Sequence, residues 1–340
     1  MKVLLLNHFF RCGQSVHVEM LAKALAKRGY EVSVYFNNNF KYLKALTDTI
    51  EAFRIHIATL AEAGVTVLGS LPKPSQDTII HAHSALTWRK GLELARESGC
   101  PFAITIHGKG LEGYLDVMQE ADLVLSVAEV FASPYKSHVD KIVVLGNAVE
   151  LDVHKPRKKN NNKTIVAYLG RYADSKHDGL VALSHAIKEL RQEHHVEARI
   201  IGNIPRGIFG NVSYIRLMGW QTDRAKWLGD SDIVIGTGMA IREGMAAGNA
   251  GYVMGKYIDG IVEPDLLAPI PEFTGRESKI IPSSLVIYND FSPLLKNREM
   301  LRQLQYRSYK FAKDHFDFEK FMEKIVELYE SSFGHRKRTC

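Results

Sequence analysis

Residues 167–180 read AYLGRYADSKHDGL, and the fold follows from them. An apolar run stops at Gly170, two cations follow at Arg171 and Lys176, and a helical pattern then begins at Leu180, Leu183, Ile187 and Leu190. A short unbroken apolar run bounded by glycine is the pattern of a strand buried on both faces, and the spacing after it is one face of a helix. The loop between them carries a rigid bidentate donor, Arg171, and a mobile point charge, Lys176, beside the amides of a helix N-terminus. A diphosphate satisfies all three. The plainer alternative is a pair of exposed charges on a loop.

The same alternation runs outward in both directions. Downstream, EARIIGN (197–203), VSYIRLMG (212–219), SDIVIG (231–236) and AGYVMG (250–255) read as strands with helical matter between them. Upstream, KVLLLNHF (2–9), EVSVYF (31–36), VTVLG (65–69), DTIIHAH (77–83), FAITIHG (102–108), ADLVLSV (121–127) and KIVVLG (141–146) do the same. The helix SVHVEMLAKALAKRGY (15–30) ends in Lys27, Arg28 and Gly29, an ordinary helix stop. Between the two series lies LDVHKPRKKNNNK (151–163), polar, basic and asparagine-rich. The expectation is α/β, with two Rossmann-like doubly wound domains, 1–153 and 163–314, and a long helical stretch over 298–333. Two such sheets facing each other present a cleft at the carboxyl ends of their strands, where ligands bind.

Composition narrows the class. The chain has 340 residues, enough for two cores, and 46% hydrophobic with 24% charged residues is a globular balance. Its three cysteines, Cys12, Cys100 and Cys340, are odd in number and far apart, which suits a reducing compartment. MKVLLLNHFF reads as a first strand rather than a signal peptide, and no apolar run reaches transmembrane length. The net charge of +6 suits anionic partners without choosing among them. The tail HRKRTC (335–340) reads as a solvated terminus.

Other strand-end loops carry candidate chemistry. RCGQSVH (11–17) places Gly13 at a helix start, an anion seat or a tight turn; a lone glycine is no dinucleotide fingerprint. HAHS puts His81 and His83 on one strand face, and TIHGKG puts His107 before two glycines. The pair His81 and His83 lacks a third metal ligand in the local sequence, so no metal site is expected. His107 suits a side chain projecting into a cleft. IGTGMAIREGMAAG (235–248) offers the amides of Gly236, Thr237 and Gly238 to a phosphate, and Glu243 to sugar hydroxyls or simply to the helix dipole. NNNFKYLKALTDTIEAFRIH (37–56) sets Lys41, Lys44 and Arg54 among Phe40, Leu43, Leu46 and Phe53, a basic amphipathic face for an anionic membrane or an ordinary surface helix.

In this order, the segments resemble the GT-B glycosyltransferases, specifically the retaining glycosyltransferase family 4. HFFRCGQSVHVEMLAKALAKRGYEV is similar to the family's opening loop and helix, and DTIIHAHS and FAITIHG to its acceptor-domain strands. In KIVVLGNAVELDVHKP, Gly146, Asn147 and Ala148 stand at the family's Pro-Asn-Gly-Val-Asp segment. YLGRYADSK resembles its Gly-Arg-…-Glu-Lys-Gly loop, with Ser175 and His177 in place of the usual Glu and Gly. FDFEKFMEKIVELYESSF resembles the closing helix, taken as 315–334, which rejoins the first domain. The family carries two glutamates in a Glu-Gly-Phe-Gly…Glu pattern; Glu243 matches the second, and Ile235 stands at the position of the first.

The resemblance implies a retaining, metal-independent hexosyltransferase that moves a sugar from a nucleotide diphosphate sugar, a UDP-sugar foremost, to a glycan or lipid-linked acceptor. It implies a cytoplasmic place, at most peripheral at the inner face of a membrane, with no resident cofactor and no nucleic acid partner. His107, Arg171 and Lys176 become the catalytic candidates. Gly13, Gly170, Gly236, Thr237, Gly238 and Glu243 join the cations around the donor, and His17, His83 and Asn147 become contacts to sugar or acceptor. Two other classes fit the same residues. One is an epimerase or phosphorylase on this fold; the other is a non-catalytic sugar-nucleotide or glycan-binding protein, which Ile235 favours.

Overall fold

The computed structural model describes residues 1–10, 12–38, 47–157, 162–210, 212–221 and 223–333. It divides into two compact units, residues 1–147 with 320–340, and residues 148–319. The division falls at Asn147 and Ala148, a few residues before the polar stretch from which the sequence places it.

The first unit runs β1 (Lys2–Asn7), α1 (Gly13–Lys27), β2 (Glu31–Phe36), α2 (Thr47–Glu62), β3 (Thr66–Leu68), β4 (Thr78–Ala82), α3 (Ala85–Ser98), β5 (Phe102–Ile106), α4 (Leu115–Glu120), β6 (Leu123–Ser126), α5 (Glu129–Ala132) and β7 (Ile142–Val144). The sheet order is β3-β2-β1-β4-β5-β6-β7, and each pairing is parallel. Val3, Leu4, Leu5 and Leu6 are all buried, as a strand covered on both faces requires. The order reverses at β1, so the crevice beside its carboxyl end, next to that of β4, is a ligand position by topology alone.

The second unit runs β8 (Thr164–Leu169), α6 (His177–Leu190), β9 (Val196–Ile201), β10 (Ile215–Gly219), α7 (Arg224–Gly229), β11 (Ile233–Gly236), α8 (Met239–Ala246), β12 (Ala250–Met254), β13 (Ile258–Ile261), α9 (Ser284–Lys296) and α10 (Arg298–His315). Its order is β10-β9-β8-β11-β12-β13, parallel except for the last pair. Here the reversal is at β8, the strand of AYLG. Leu180, Leu183, Ile187 and Leu190 of α6 are buried against this sheet. Each such burial contributes about 1.5–3 kcal/mol.

The long C-terminal helical stretch is two helices, α10 and α11 (Phe318–Phe333). The break has a backbone cause. Val149 N–H donates to Phe316 O at 2.7 Å, and Phe318 N–H donates to Val149 O at 3.2 Å, so these groups leave the helix ladder for an extended bridge. Asp317 Oδ1 then accepts from Glu319 N–H at 2.9 Å, an N-terminal cap for α11. From Lys320 on, α11 belongs to the first unit, where Tyr329 is fully buried.

Candidate functional site

Strand β8 delivers Gly170, Arg171 and Lys176 to the switch point of the second sheet. Arg171 is exposed and Lys176 half-buried. Burial, and then the Arg171 charge, hold the Lys176 ammonium below its ordinary pKa. The two cations therefore repel each other, and among the described residues no ion pair joins either to a carboxylate. A pair of like charges held together with no ion-pair partner is the arrangement that an anionic ligand would relieve.

Backbone crowding shapes the floor of this seat. Gly170 N–H donates to Ile201 O at 3.1 Å, and Gly202 N–H donates to Gly219 O at 2.8 Å. A Cβ on Gly202 would lie 1.9 Å from Gly170 O, and Gly202 has φ +141°. Glycine at 202 therefore lets the ends of β8, β9 and β10 converge under the cation loop.

The loop after β11 departs from expectation in three ways. Gly238 has φ +57° and ψ −119°, and its N–H donates to Phe273 O at 2.7 Å, so that amide is already committed and does not serve a phosphate. Ile235 lies inside β11, opposite Tyr168 and Tyr252, with its side chain fully buried in the core. It is a core residue rather than a site residue that has lost its charge. Glu243 is 4% exposed and paired to Arg224 Nη2 by Oε1 at 2.8 Å. One of the oxygens assigned to sugar hydroxyls is thus held by an arginine on α7, a partner 19 residues away that sequence spacing does not reveal. Gly236 and Thr237 remain at the turn between β11 and α8, and Gly236 packs so closely that a Cβ would meet Leu169 O at 2.7 Å.

In the first unit the histidines converge, but not in the expected pairing. His81 is spent: its Nδ1 pairs with Tyr329 Oη at 2.6 Å and its Nε2 with Thr105 Oγ1 at 2.7 Å. Its ring lies against His83, with centroids 4.1 Å apart. His83 Nδ1 instead meets His107 Nε2 at 3.2 Å. His17, from the second turn of α1, completes the group, its ring centroid 5.0 Å from that of His107 and 5.5 Å from that of His83. Asn147 hydrogen-bonds His17. One ring nitrogen from each of His17, His83 and His107 lies within 4.8 Å of the others. His17 and His107 thus reach His83 from α1 and from the end of β5, elements distant in sequence. Gly13 opens α1 one turn before His17 and is exposed.

Burial keeps these imidazoles neutral. It lowers His17 to about 4 and His81 to about 3. His83 and His107 are held well below the ordinary range by burial and by the neighbouring rings. Neutral imidazoles offer one donor and one acceptor each, which suits hydroxyl groups and proton relay equally. The basic amphipathic segment cannot be placed: Phe40, Lys41, Leu43, Lys44 and Leu46 lie outside the described residues, as does the tail 335–340. Arg54 is exposed on α2. Among the described residues no helix is long and apolar enough to cross a membrane.

No curated protein matches the chain by sequence. Among solved structures, HepE of Anabaena in complex with UDP and glucose superposes with a TM-score of 0.72 at 14% identity, over 97% of this chain and 100% of that one. A glycosyltransferase from Rickettsia africae ESF-5 gives 0.72 at 16% identity, over 97% and 98%. Sucrose-phosphate synthase of Thermosynechococcus elongatus gives 0.68 at 15% identity, over 98% and 100%. These likenesses show the GT-B fold. The sequence profile of Glycosyltransferase Family 4 matches residues 12–208, more than half of the chain, from the α1 loop through the Arg171 and Lys176 seat. The chain belongs to glycosyltransferase family 4.

Proposed function

We propose that the protein is a retaining hexosyltransferase that takes a sugar from a nucleotide diphosphate sugar, with UDP-sugars the first candidates, and passes it to a glycan or lipid-linked acceptor. The observation that carries this reading is the pair Arg171 and Lys176 at the carboxyl end of β8, the switch strand, neither of them joined to a carboxylate by an ion pair among the described residues. Family membership and the UDP and glucose seen with Anabaena HepE support it.

The chemistry follows from charge. When the sugar–oxygen bond breaks, negative charge grows on the diphosphate leaving group. Arg171 can fork onto two of its oxygens, and Lys176 can follow a third. Both interactions strengthen as the bond lengthens, so they lower the barrier rather than merely tightening binding. Two protein cations can supply the neutralisation for which a divalent ion would otherwise be needed at the diphosphate. Glu243, one oxygen of which is paired with Arg224, would meet the ribose through its other oxygen. On the acceptor side, His107, His83 and His17 offer neutral ring nitrogens to hydroxyls, with Asn147 fixing His17. Synthesis of cell-surface polysaccharide or glycoconjugate, on the cytoplasmic side and at most peripheral to an anionic membrane, is the setting that fits such an acceptor.

The test is turnover. Removing one donor that stabilises a developing anion typically costs about 10²–10³ in kcat. Arg171→Ala and Lys176→Ala should each lose about that much transfer from UDP-sugars while keeping the wild-type circular dichroism and melting temperature. Near-normal transfer by both variants would remove the basis of the reading.

A further inference from the structure

We propose that His17, His83 and His107 form a binding site for a divalent transition-metal ion of the zinc class, one ring nitrogen from each, with a fourth position open. The inference is independent of the transferase reading, because it concerns three side chains of the first unit and is tested by metal bound rather than sugar moved.

Geometry comes first. Two nitrogens at about 2.0–2.1 Å from a tetrahedral ion are about 3.3–3.4 Å apart. His83 Nδ1 and His107 Nε2 are 3.2 Å apart, close to that edge. A nitrogen of His17 lies within 4.8 Å of one from each of the other two, so a ring movement of at most about 1.5 Å brings it onto the same ion. The triad spans α1, the end of β4 and the end of β5, three elements fixed by one parallel sheet and its first helix.

The surroundings supply what a metal site needs outside its ligands. Asn147 holds His17 by a hydrogen bond, and His81 backs His83 with both its own nitrogens occupied. Ligating imidazoles are commonly steadied in this way. His83 is 1% exposed, so the nitrogen it turns toward His107 is withdrawn from water. His17 and His107 are half-buried, which leaves a side from which a fourth ligand can enter.

The donor set selects the ion. The group is three imidazoles with no carboxylate, a set that suits zinc, copper or nickel and disfavours magnesium, calcium and manganese. A bound ion would occupy lone pairs that the acceptor reading assigns to sugar hydroxyls. The two uses of the cluster therefore compete, and free zinc should slow transfer.

The experiment is equilibrium dialysis of the full chain, stripped with chelator, against Zn²⁺ with elemental analysis, and titration with Co²⁺ followed by its visible spectrum. The expected result is one ion per chain, a four-coordinate cobalt spectrum, and no displacement by excess Mg²⁺. His17→Gln and His107→Gln should each weaken zinc by more than about a hundredfold, beyond the about 10–100-fold that loss of an outer-shell partner costs. The exposed control His138→Gln should change nothing. X-ray absorption of the zinc-loaded wild type needs no variant and should show three imidazole nitrogens at about 2.0–2.1 Å. Absent saturable binding, binding unchanged in the folded His17→Gln/His107→Gln double variant, or a sulfur or two-imidazole coordination sphere would each overturn the proposal.

Discussion

Gly202→Ala tests how the backbone of the second unit builds the cation seat. The added Cβ would sit 1.9 Å from Gly170 O. A tolerable carbon–oxygen approach is about 3.3 Å, so one of two hydrogen-bonded strand ends must retreat by about 1.4 Å. Neither end is loose, since Gly170 and Gly202 are tied at 3.1 Å and 2.8 Å to Ile201 and Gly219. The φ of +141° adds a conformational cost of about 1–3 kcal/mol for any side chain, and the steric displacement adds about 1–3 kcal/mol. The centre of that range is about 4 kcal/mol, which lowers the melting temperature of a unit this size by about 8–16 °C. Gly170 directly precedes Arg171, so the displacement also moves the seat, and nucleotide affinity should fall with stability.

Two controls separate the causes. Gly210 has φ +64° with open space around it, so Gly210→Ala should cost only about 1–2 kcal/mol. Gly207 has neither constraint, and Gly207→Ala should be neutral within about 0.5 kcal/mol. The assays are thermal unfolding and nucleotide titration on all three variants. If Gly202→Ala melted with Gly207→Ala and bound nucleotide as wild type does, the claimed convergence of β8, β9 and β10 would be refuted.

Two further predictions rest on other contacts. Arg224→Ala leaves the Glu243 carboxylate, 4% exposed, without its partner. Breaking such a pair costs about 3 kcal/mol at the low end, fitting here because Arg224 itself reaches water, and denaturant unfolding should show it; an unchanged midpoint would mean that the pair does not form in solution. The histidine cluster sets a pH dependence. With His17 lowered to about 4 and His81 to about 3 in the folded protein, the unfolded chain binds more protons below an ordinary histidine pKa of about 6.5. Stability of the first unit is therefore full above that value and lost as pH falls from about 6.5 through 4 toward 3. Urea unfolding across that window should show the loss, with a shallower slope in His17→Asn; a flat profile would contradict the burial of neutral rings.

Much of the fold is legible because local signals agree with one another. The apolar run ending at Gly170 and the spacing from Leu180 to Leu190 show β8 and α6 directly, since a strand buried on both faces has no polar alternation to confuse it. What the sequence hides is decided by distant backbone groups. The IDGI of β13 becomes a strand through antiparallel pairing with β12, a partner that the local sequence does not announce. Helix α9 carries Pro293 inside it and is announced only by its Ser283 cap, whose side chain accepts from Val286 N–H at 3.3 Å. The break between α10 and α11 depends on Val149, far away in sequence.

The site shows the same division. Arg171 and Lys176 are legible because they fall in a loop that directly follows a buried strand and precedes a helix. The partnership of Glu243 with Arg224, the capture of the Gly238 amide by Phe273 and the meeting of His17, His83 and His107 are tertiary facts. Ile235, at the position of the family's first glutamate, is buried in the core by its place in β11, which the motif alone does not reveal.

The most direct measurement is calorimetric titration of UDP, GDP and ADP into the wild type and Arg171→Ala. The expected result is saturable binding with a preference for one nucleotide, UDP first, and a loss of about 1.5–3 kcal/mol of binding in the variant, the worth of a charge-assisted hydrogen bond. No binding of any of the three by a protein shown to be folded, or equal binding by both proteins, would contradict the claim that Arg171 and Lys176 hold a nucleotide diphosphate.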